Sequence, residues 1–233
     1  MAKKRAVILS SGGLNSAVTT AIAAAEYEPA LMHVRFGHRA EQREAELFEK
    51  QAEHFRVATR LITDMPHFAA IGASARIAHD KPLEDALSAG ENESMYYIPG
   101  LIGSLTSAAF NWASAINASA IFLGVCECLG PPGPRTAGVY PDYSRDYAQL
   151  LQHALNVAYP FRRITLEVPL IDLSRRDIIR LGQRLHVPFE LTWSCNSSGR
   201  APCGGCLGCA TRSRGFLDAG IADPLHNTLA VVA

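Results

Sequence analysis

The segment that most constrains this chain lies near its front. Ala6-Val7-Ile8-Leu9 is a short apolar run, Ser10-Ser11-Gly12-Gly13-Leu14-Asn15-Ser16 follows without a break, and a helical pattern occupies residues 16–26. A strand that passes into a helix through paired glycines reads as the opening unit of an α/β domain, because such a tight loop lets the helix turn back across the strand's end. The rest of the chain repeats the alternation. Residues 30–36, 57–63, 120–125 and 164–168 read as strands, and the fully apolar fourth run suits a central parallel strand. Residues 39–55, 99–117 and 144–158 read as helices, with Ala45, Leu47 and Phe48 near one face of the first. Ser174-Arg175-Arg176-Asp177 has the form of a capping box that opens a helix over 177–185. The expected fold class is therefore α/β, a Rossmann-like doubly wound parallel sheet with ligands at the carboxyl ends of its strands. Two segments resist this pattern. Residues 64–96 have a weak periodicity and read as a mobile loop or lid, and residues 129–141 hold Pro131, Pro132 and Pro134 among glycines and exclude regular structure.

Charge and composition narrow the function classes. With 22 Lys+Arg against 22 Asp+Glu, the formal net charge is zero, which argues against broad electrostatic capture of nucleic acid or an anionic membrane. The expected partner is a small molecule, with no direct nucleic-acid binding. No apolar stretch approaches the roughly 20 residues that span a bilayer, and the front run is too short for a signal-peptide core, so a cytoplasmic location is expected. A chain of this size builds a core without disulfide staples.

The front loop has its own chemistry. Paired glycines allow a close backbone approach to an anion, and the free N–H groups of a helix start, helped by the Ser11 and Ser16 hydroxyls, would bind phosphate oxygens. The loop lacks both the Lys-Ser/Thr ending of a Walker loop and the three glycines of a dinucleotide fold. A glycine turn that serves packing alone is the alternative, and the loop's position at the strand's end favours the phosphate site over it.

Four of the six cysteines fall in one short stretch as Cys195-x7-Cys203-x2-Cys206-x2-Cys209. In a reducing compartment such spacing points to a metal rather than disulfides, and four thiolates complete a closed, structural Zn²⁺ site. An iron–sulfur cluster takes the same ligands. Arg200, Arg212 and Arg214 stand nearby as cations to offset the thiolate charge. Cys126 and Cys128 read either as inert core fillers or as a thiol at the carboxyl edge of the sheet.

Both motifs, in this order, resemble known families. The loop is similar to the pyrophosphatase-type loop, usually Ser-Gly-Gly-x-Asp-Ser, of enzymes that split ATP into AMP and pyrophosphate; Asn15 stands at the Asp. That exchange removes a hard carboxylate ligand for Mg²⁺. The whole chain resembles the 7-cyano-7-deazaguanine synthase (QueC) family, most densely at Pro169-Leu170-Ile171-Asp172-Leu173-Ser174, Ile178-Ile179-Arg180-Leu181-Gly182, Val187 to Cys195, the cysteine cluster and Arg212-Ser213-Arg214-Gly215-Phe216. Phe36-Gly37-His38-Arg39 is similar to the family's Tyr-Gly-Gln-Arg, and Tyr140-Pro141-Asp142 to its substrate-side segment.

The resemblance implies a PP-loop nucleotide-binding α/β domain over residues 1–185 and a C-terminal four-cysteine zinc-binding subdomain over 186–233. It further implies ATP held by residues Ser10, Ser11, Gly12, Gly13, Leu14, Asn15 and Ser16, with Mg²⁺ as a further cofactor. Ser11, Asn15, Ser16 and Arg39 become candidate catalytic residues, Tyr140 and Asp142 candidate substrate contacts, and a homodimer the expected assembly. The implied reaction adenylates the carboxylate of 7-carboxy-7-deazaguanine and joins it to ammonia, giving the nitrile 7-cyano-7-deazaguanine for nucleic-acid modification. The chain departs from the family at Ala40, Gly124-Val125-Cys126 and Pro99-Gly100-Leu101-Ile102, where a His, a Gly-Val-Asn and a Pro-Ala/Gly-Arg-Asn are usual. These departures describe a divergent paralogue and leave two other readings open: conjugation of the activated deazaguanine to another amine, such as one on a protein partner, and a non-catalytic nucleotide-binding scaffold. Arg35, His38, Arg39, Arg135 and Arg145 are the cations placed to replace the missing Arg.

Overall fold

Within the first apolar run, Val7 must face one way and Ala6 and Ile8 the other, since strand side chains alternate. All three are fully buried, so this strand has no polar face and belongs inside a sheet covered on both sides. The computed structural model describes residues 3–72, 74–83, 96–127 and 140–225. Along the chain come β1 (Arg5–Leu9), α1 (Leu14–Glu26), β2 (Glu28–Arg35), α2 (Glu41–His54), β3 (Thr59–Asp64), the short α3 (His67–Ile71), α4 (Leu101–Ala115), β4 (Ala120–Phe122), α5 (Arg145–Ala158), β5 (Thr165–Glu167), α6 (Arg175–Arg184) and α7 (Leu207–Ala219).

The five strands form one sheet in the order β3-β2-β1-β4-β5, with every pairing parallel. The chain winds outward from β1 first one way and then the other, so the order reverses at β1, and a crevice is expected beyond its carboxyl end. Helices cover both faces. On one, Val7, Met32 and Ile121 pack under α4 through Ala109, Phe110 and Ala113. On the other, Ile8, Leu31 and Phe122 meet Ala23 of α1 and Phe48 and Ala52 of α2. Phe48 is completely buried there, and truncating it to alanine would cost about 3–5 kcal/mol.

A third cluster joins Leu14 and Val18 of α1 to Ile178 and Ile179 of α6 and Phe216 of α7. The segment that carries the cysteines is thereby folded onto the helix that follows the front loop.

Apart from α7, the strands and long helices of the described residues match the sequence pattern within a few positions. α6 begins at Arg175 because Ser174 is the cap, its hydroxyl accepting from the N–H of Asp177; both arginines therefore lie in the first turn. β4 ends at Phe122, short of the expected residue 125. Beyond Phe122 the neighbouring β1 gives way to its loop, and Leu123 and Val125 are apolar because they wall the crevice. α7 has no forerunner in the sequence reading. Most of the 129–141 segment, Cys128, Arg135 and residues 84–95 lie outside the described residues. Among the described residues no helix is long and apolar enough to cross a membrane.

Candidate active site

The front loop is shaped by contacts behind it. Gly12 has φ +74°, and a Cβ there would stand 2.4 Å from the backbone oxygen of Glu44 in α2, so both the conformation and the space demand glycine. The Gly12 carbonyl accepts from Gln51 Nε2 and from the N–H of Trp193, each at 3.0 Å. Gly13 forms an isolated parallel bridge with Trp193. In front, Ser11 Oγ accepts from the N–H of Gly13 at 3.2 Å, and Ser16 Oγ donates to the Gly13 carbonyl at 3.0 Å. No side chain caps α1, and the first turn of a helix has N–H groups without intrahelical acceptors.

These groups open onto a cleft of about 330 Å³ at the carboxyl end of β1, lined by Ser10, Ser11, Gly13, Leu14, Asn15 and Ser16 on the loop side. Its walls are largely apolar or aromatic, with Met32, Phe36, Tyr96, Leu101, Ile102, Tyr140 and Tyr143 among them. Four polar atoms at its edge are buried without a hydrogen-bond partner: Ser10 Oγ, His33 Nε2, Arg175 Nε and Trp193 Nε1. Buried polar groups are ordinarily satisfied. Their convergence on one cleft marks a place where a polar ligand completes the structure.

His33 can be assigned a role at this level. Its Nδ1 lies 3.0 Å from the Ser10 carbonyl, which can only accept, so Nδ1 carries a proton. Burial lowers the imidazole pKa, and in the resulting neutral ring Nε2 is a bare acceptor at the cleft wall. Glu44 is the one carboxylate among the described lining residues. Burial alone would raise its pKa, but the charge and hydrogen bond of His38, with the charge of Arg76, outweigh that and hold it below the usual range. His38 Nε2 is 2.8 Å from Glu44 Oε2.

Asn15 is held on both sides. Its Nδ2 donates to the Gly124 carbonyl at 3.0 Å, and its Oδ1 accepts from Arg175 Nη1. Tyr140 lines the cleft and stacks on Tyr97 with ring centroids 5.2 Å apart. Asp142 lies behind the wall, buried, accepting weakly from the N–H of Ile102 at 3.5 Å, with Oδ1 unpartnered; burial raises its pKa. Arg39 is turned away from the cleft. Its guanidinium donates to the carbonyls of Ala75, Ala78 and Lys81 and clamps that loop. The other expected cations within the described residues are engaged elsewhere: Arg35 pairs with Asp64 and Arg145 with Asp172. Arg76 and Arg175 are the cations the sequence reading missed here. A basic residue within a capping box gives no sign that it faces a ligand, and a lone histidine in a strand gives none either.

The cysteines also gather. All four Sγ atoms lie within 4.8 Å of one another, with Cys195 to Cys206 at 3.9 Å and Cys203 to Cys209 at 4.0 Å. Sulfurs bound tetrahedrally at about 2.3 Å stand about 3.8 Å apart, so the cluster fits a metal ion. Without a cation the thiols compete for negative charge. Hydrogen bonding from Cys206 holds Cys195 far down, and the same contact pushes Cys206 up to about 11. A divalent ion removes that conflict by making each thiolate a ligand. Arg212 and Arg214 do not supply the expected offset, since they pair with Asp223 and Asp218. Backbone N–H groups do it instead: Ser197 and Cys203 donate to Cys195 Sγ, and Asn196 to Cys206 Sγ, at 3.3–3.4 Å.

Comparison with known proteins places this arrangement. Residues 5–220 match the family model described as queuosine biosynthesis protein QueC. The chain belongs to the QueC family. A 7-cyano-7-deazaguanine synthase of Chloroherpeton thalassium is 35% identical over 95% of this chain and 96% of its own length. Proteins of the same name from Chlorobium luteolum and Acidobacterium capsulatum are 37% and 35% identical over similar spans. Membership covers both the front loop and the cysteine cluster, so this member is an enzyme of the synthase type whose two motifs meet at one cleft.

Proposed function

We propose that the protein is an ATP-dependent ligase that adenylates the carboxylate of 7-carboxy-7-deazaguanine and joins it to ammonia, yielding 7-cyano-7-deazaguanine in the cytoplasm. The observation that carries the reading is the uncapped α1 start and its serine-lined loop at the floor of a cleft whose edge holds four unpartnered buried polar atoms, in a member of the QueC family.

The chemistry follows from that placement. A carboxylate resists nucleophiles until one oxygen becomes part of a good leaving group. In the proposed first step a carboxylate oxygen attacks the α-phosphorus of ATP, the bond to the β-phosphate oxygen breaks, and pyrophosphate departs. Loop N–H groups with the Ser11 and Ser16 hydroxyls would bind the charge that grows on the leaving phosphates. Ammonia then attacks the acyl carbon, AMP leaves and a proton is lost, giving the amide. The amide oxygen then attacks the α-phosphorus of a second ATP, pyrophosphate leaves, and loss of AMP with both N–H protons gives the nitrile. His33 Nε2 accepts an N–H of a bound base, Trp193 Nε1 donates to a ligand oxygen, and Tyr140 offers a ring face to the planar substrate. Holding the two reactants together in a largely apolar cleft supplies much of the rate. Cys195, Cys203, Cys206 and Cys209 would hold Zn²⁺, which supplies a structural cross-link and no chemistry at the cleft.

The test is pyrophosphate release from ATP on addition of 7-carboxy-7-deazaguanine, with mass spectrometry of the product. Substrate-dependent release with a nitrile product is expected when ammonia is present. A lasting amide or adenylate would assign the chain to another amine, and no release above background would leave a nucleotide-binding scaffold.

A further inference from the structure

A polyphosphate brings several negative charges into this cleft, and the described residues do not fit the usual means of balancing them. Mg²⁺ takes hard oxygen ligands, typically one or two carboxylates together with phosphates. The only carboxylate lining the cleft among the described residues is Glu44, and its Oε2 is already 2.8 Å from His38 Nε2. Position 15 is an amide. Among the described residues the cysteine cluster is the one group of three or more His, Cys, Asp or Glu side chains placed to hold an ion.

Besides Glu44, which is engaged by His38, the described lining offers a cation, Arg175. The stem of Arg175 crosses α7 where Gly215 makes room for it, since a Cβ at Gly215 would stand 2.1 Å from Arg175 Cγ. Its guanidinium lines the cleft and reaches Asn15 Oδ1, with Nε buried and unpartnered. No carboxylate pairs with it among the described residues. A charge withdrawn from water without a counter-ion is costly, and burial lowers the Arg175 pKa. A carboxylate at position 15 would neutralise it. The amide orients the guanidinium and leaves the charge available.

We propose that the Arg175–Asn15 pair takes the place of a protein-held divalent cation, so that the cleft binds polyphosphate without a metal ion fixed by the chain. The inference rests on reading the front loop as a phosphate cradle, and it concerns anion binding alone, whichever nucleotide is used.

The experiment is calorimetric titration of the full chain with inorganic pyrophosphate, in buffer with and without added Mg²⁺. No chelator is used, so the cysteine site is left undisturbed. The two affinities should agree within about threefold, and Arg175→Gln should weaken both by about tenfold or more, the scale of a lost charge-assisted contact. Asn15→Asp should weaken metal-free binding by about tenfold and create a response to Mg²⁺, because its carboxylate both pairs with Arg175 and offers a hard ligand. Wild-type binding that needs Mg²⁺ for tenfold or more of its affinity overturns the proposal, as does no pyrophosphate binding in either buffer. Arg175→Gln with unchanged affinity also overturns it; should that variant fail to fold, unchanged metal-free affinity in Asn15→Asp does so. ATP titrated in parallel separates the two readings: pyrophosphate bound but ATP refused removes the ligase and leaves this inference standing.

Discussion

Arg175 at the start of α6 donates to Oδ1 of Asn15 at the start of α1, and the other end of that amide is fixed on the Gly124 carbonyl beyond β4. One neutral side chain thus joins α1, α6 and the segment beyond β4 at the carboxyl edge of the sheet. Gly124 permits the approach, since a Cβ there would stand 3.1 Å from the backbone of Asn15. The first turn of α1 is set by contacts on all sides before any ligand arrives.

Gly12→Ala should remove the loop's shape rather than trim it. The substitution meets a left-handed φ of +74° and a backbone oxygen 2.4 Å away, and together these should cost about 2 kcal/mol or more. Thermal unfolding should show the lower midpoint, and pyrophosphate titration of the folded fraction should show lost binding. A variant with wild-type stability would contradict the packing against Glu44.

His33 should give the stability an acid limb. Its folded pKa is lowered from the ordinary 6.5 by burial, so the unfolded chain takes up the proton first. Stability is then full above 6.5 and declines as the pH falls toward the folded value. His33→Gln should flatten the melting midpoint between about pH 7 and pH 5.5, whatever its effect at neutral pH. An unchanged slope would mean the ring does not titrate as described.

Asp142→Asn should stabilise the fold. The carboxylate is buried with one oxygen unpartnered, and its pKa is raised by burial. The penalty is largest at neutral pH and fades as acid protonates the group in the native state. The amide keeps an acceptor for Ile102, so melting should rise by about 2–4 °C near pH 7, the equivalent of about 1 kcal/mol, with the gain shrinking on acidification. A lower midpoint at pH 7 would show that the charge has a favourable partner.

Cys206→Ala should release the metal and loosen the C-terminal segment. Elemental analysis should find one zinc per wild-type chain and little in the variant, and limited proteolysis should cut first among residues 195–206. Iron with visible absorbance in the wild type would replace zinc by a cluster.

Much of the framework was legible because buried strands and amphipathic helices leave periodic marks. The continuous apolar run of β1 followed by the serine and glycine loop points to the strand end at which the cleft lies. α7 escaped because Gly208 and Gly215 sit inside it, and glycine weakens any helical reading; both are there so that Ser194 and Arg175 can pass close. Arg39 looked like a ligand cation because sequence records charge but not aim, and here its reach is taken up by three carbonyls of one loop. Asp142 stands two positions from Tyr140, which lines the cleft, yet is itself not part of the lining, a difference that a short turn decides. His33, Arg175 and Trp193 emerge only when distant elements are brought together.

The strap of Trp193 across Gly12 has a consequence for how the protein is made. The cradle is encoded at residues 10–16, but its rear support, Trp193, is encoded far later, beside the first cysteine of the cluster. A nascent chain therefore carries an unfinished cradle until residue 193 has been made. Because Trp193 backs Gly12 and Gly13 and stands next to Cys195, loading of the metal and readiness for the anion should arrive together.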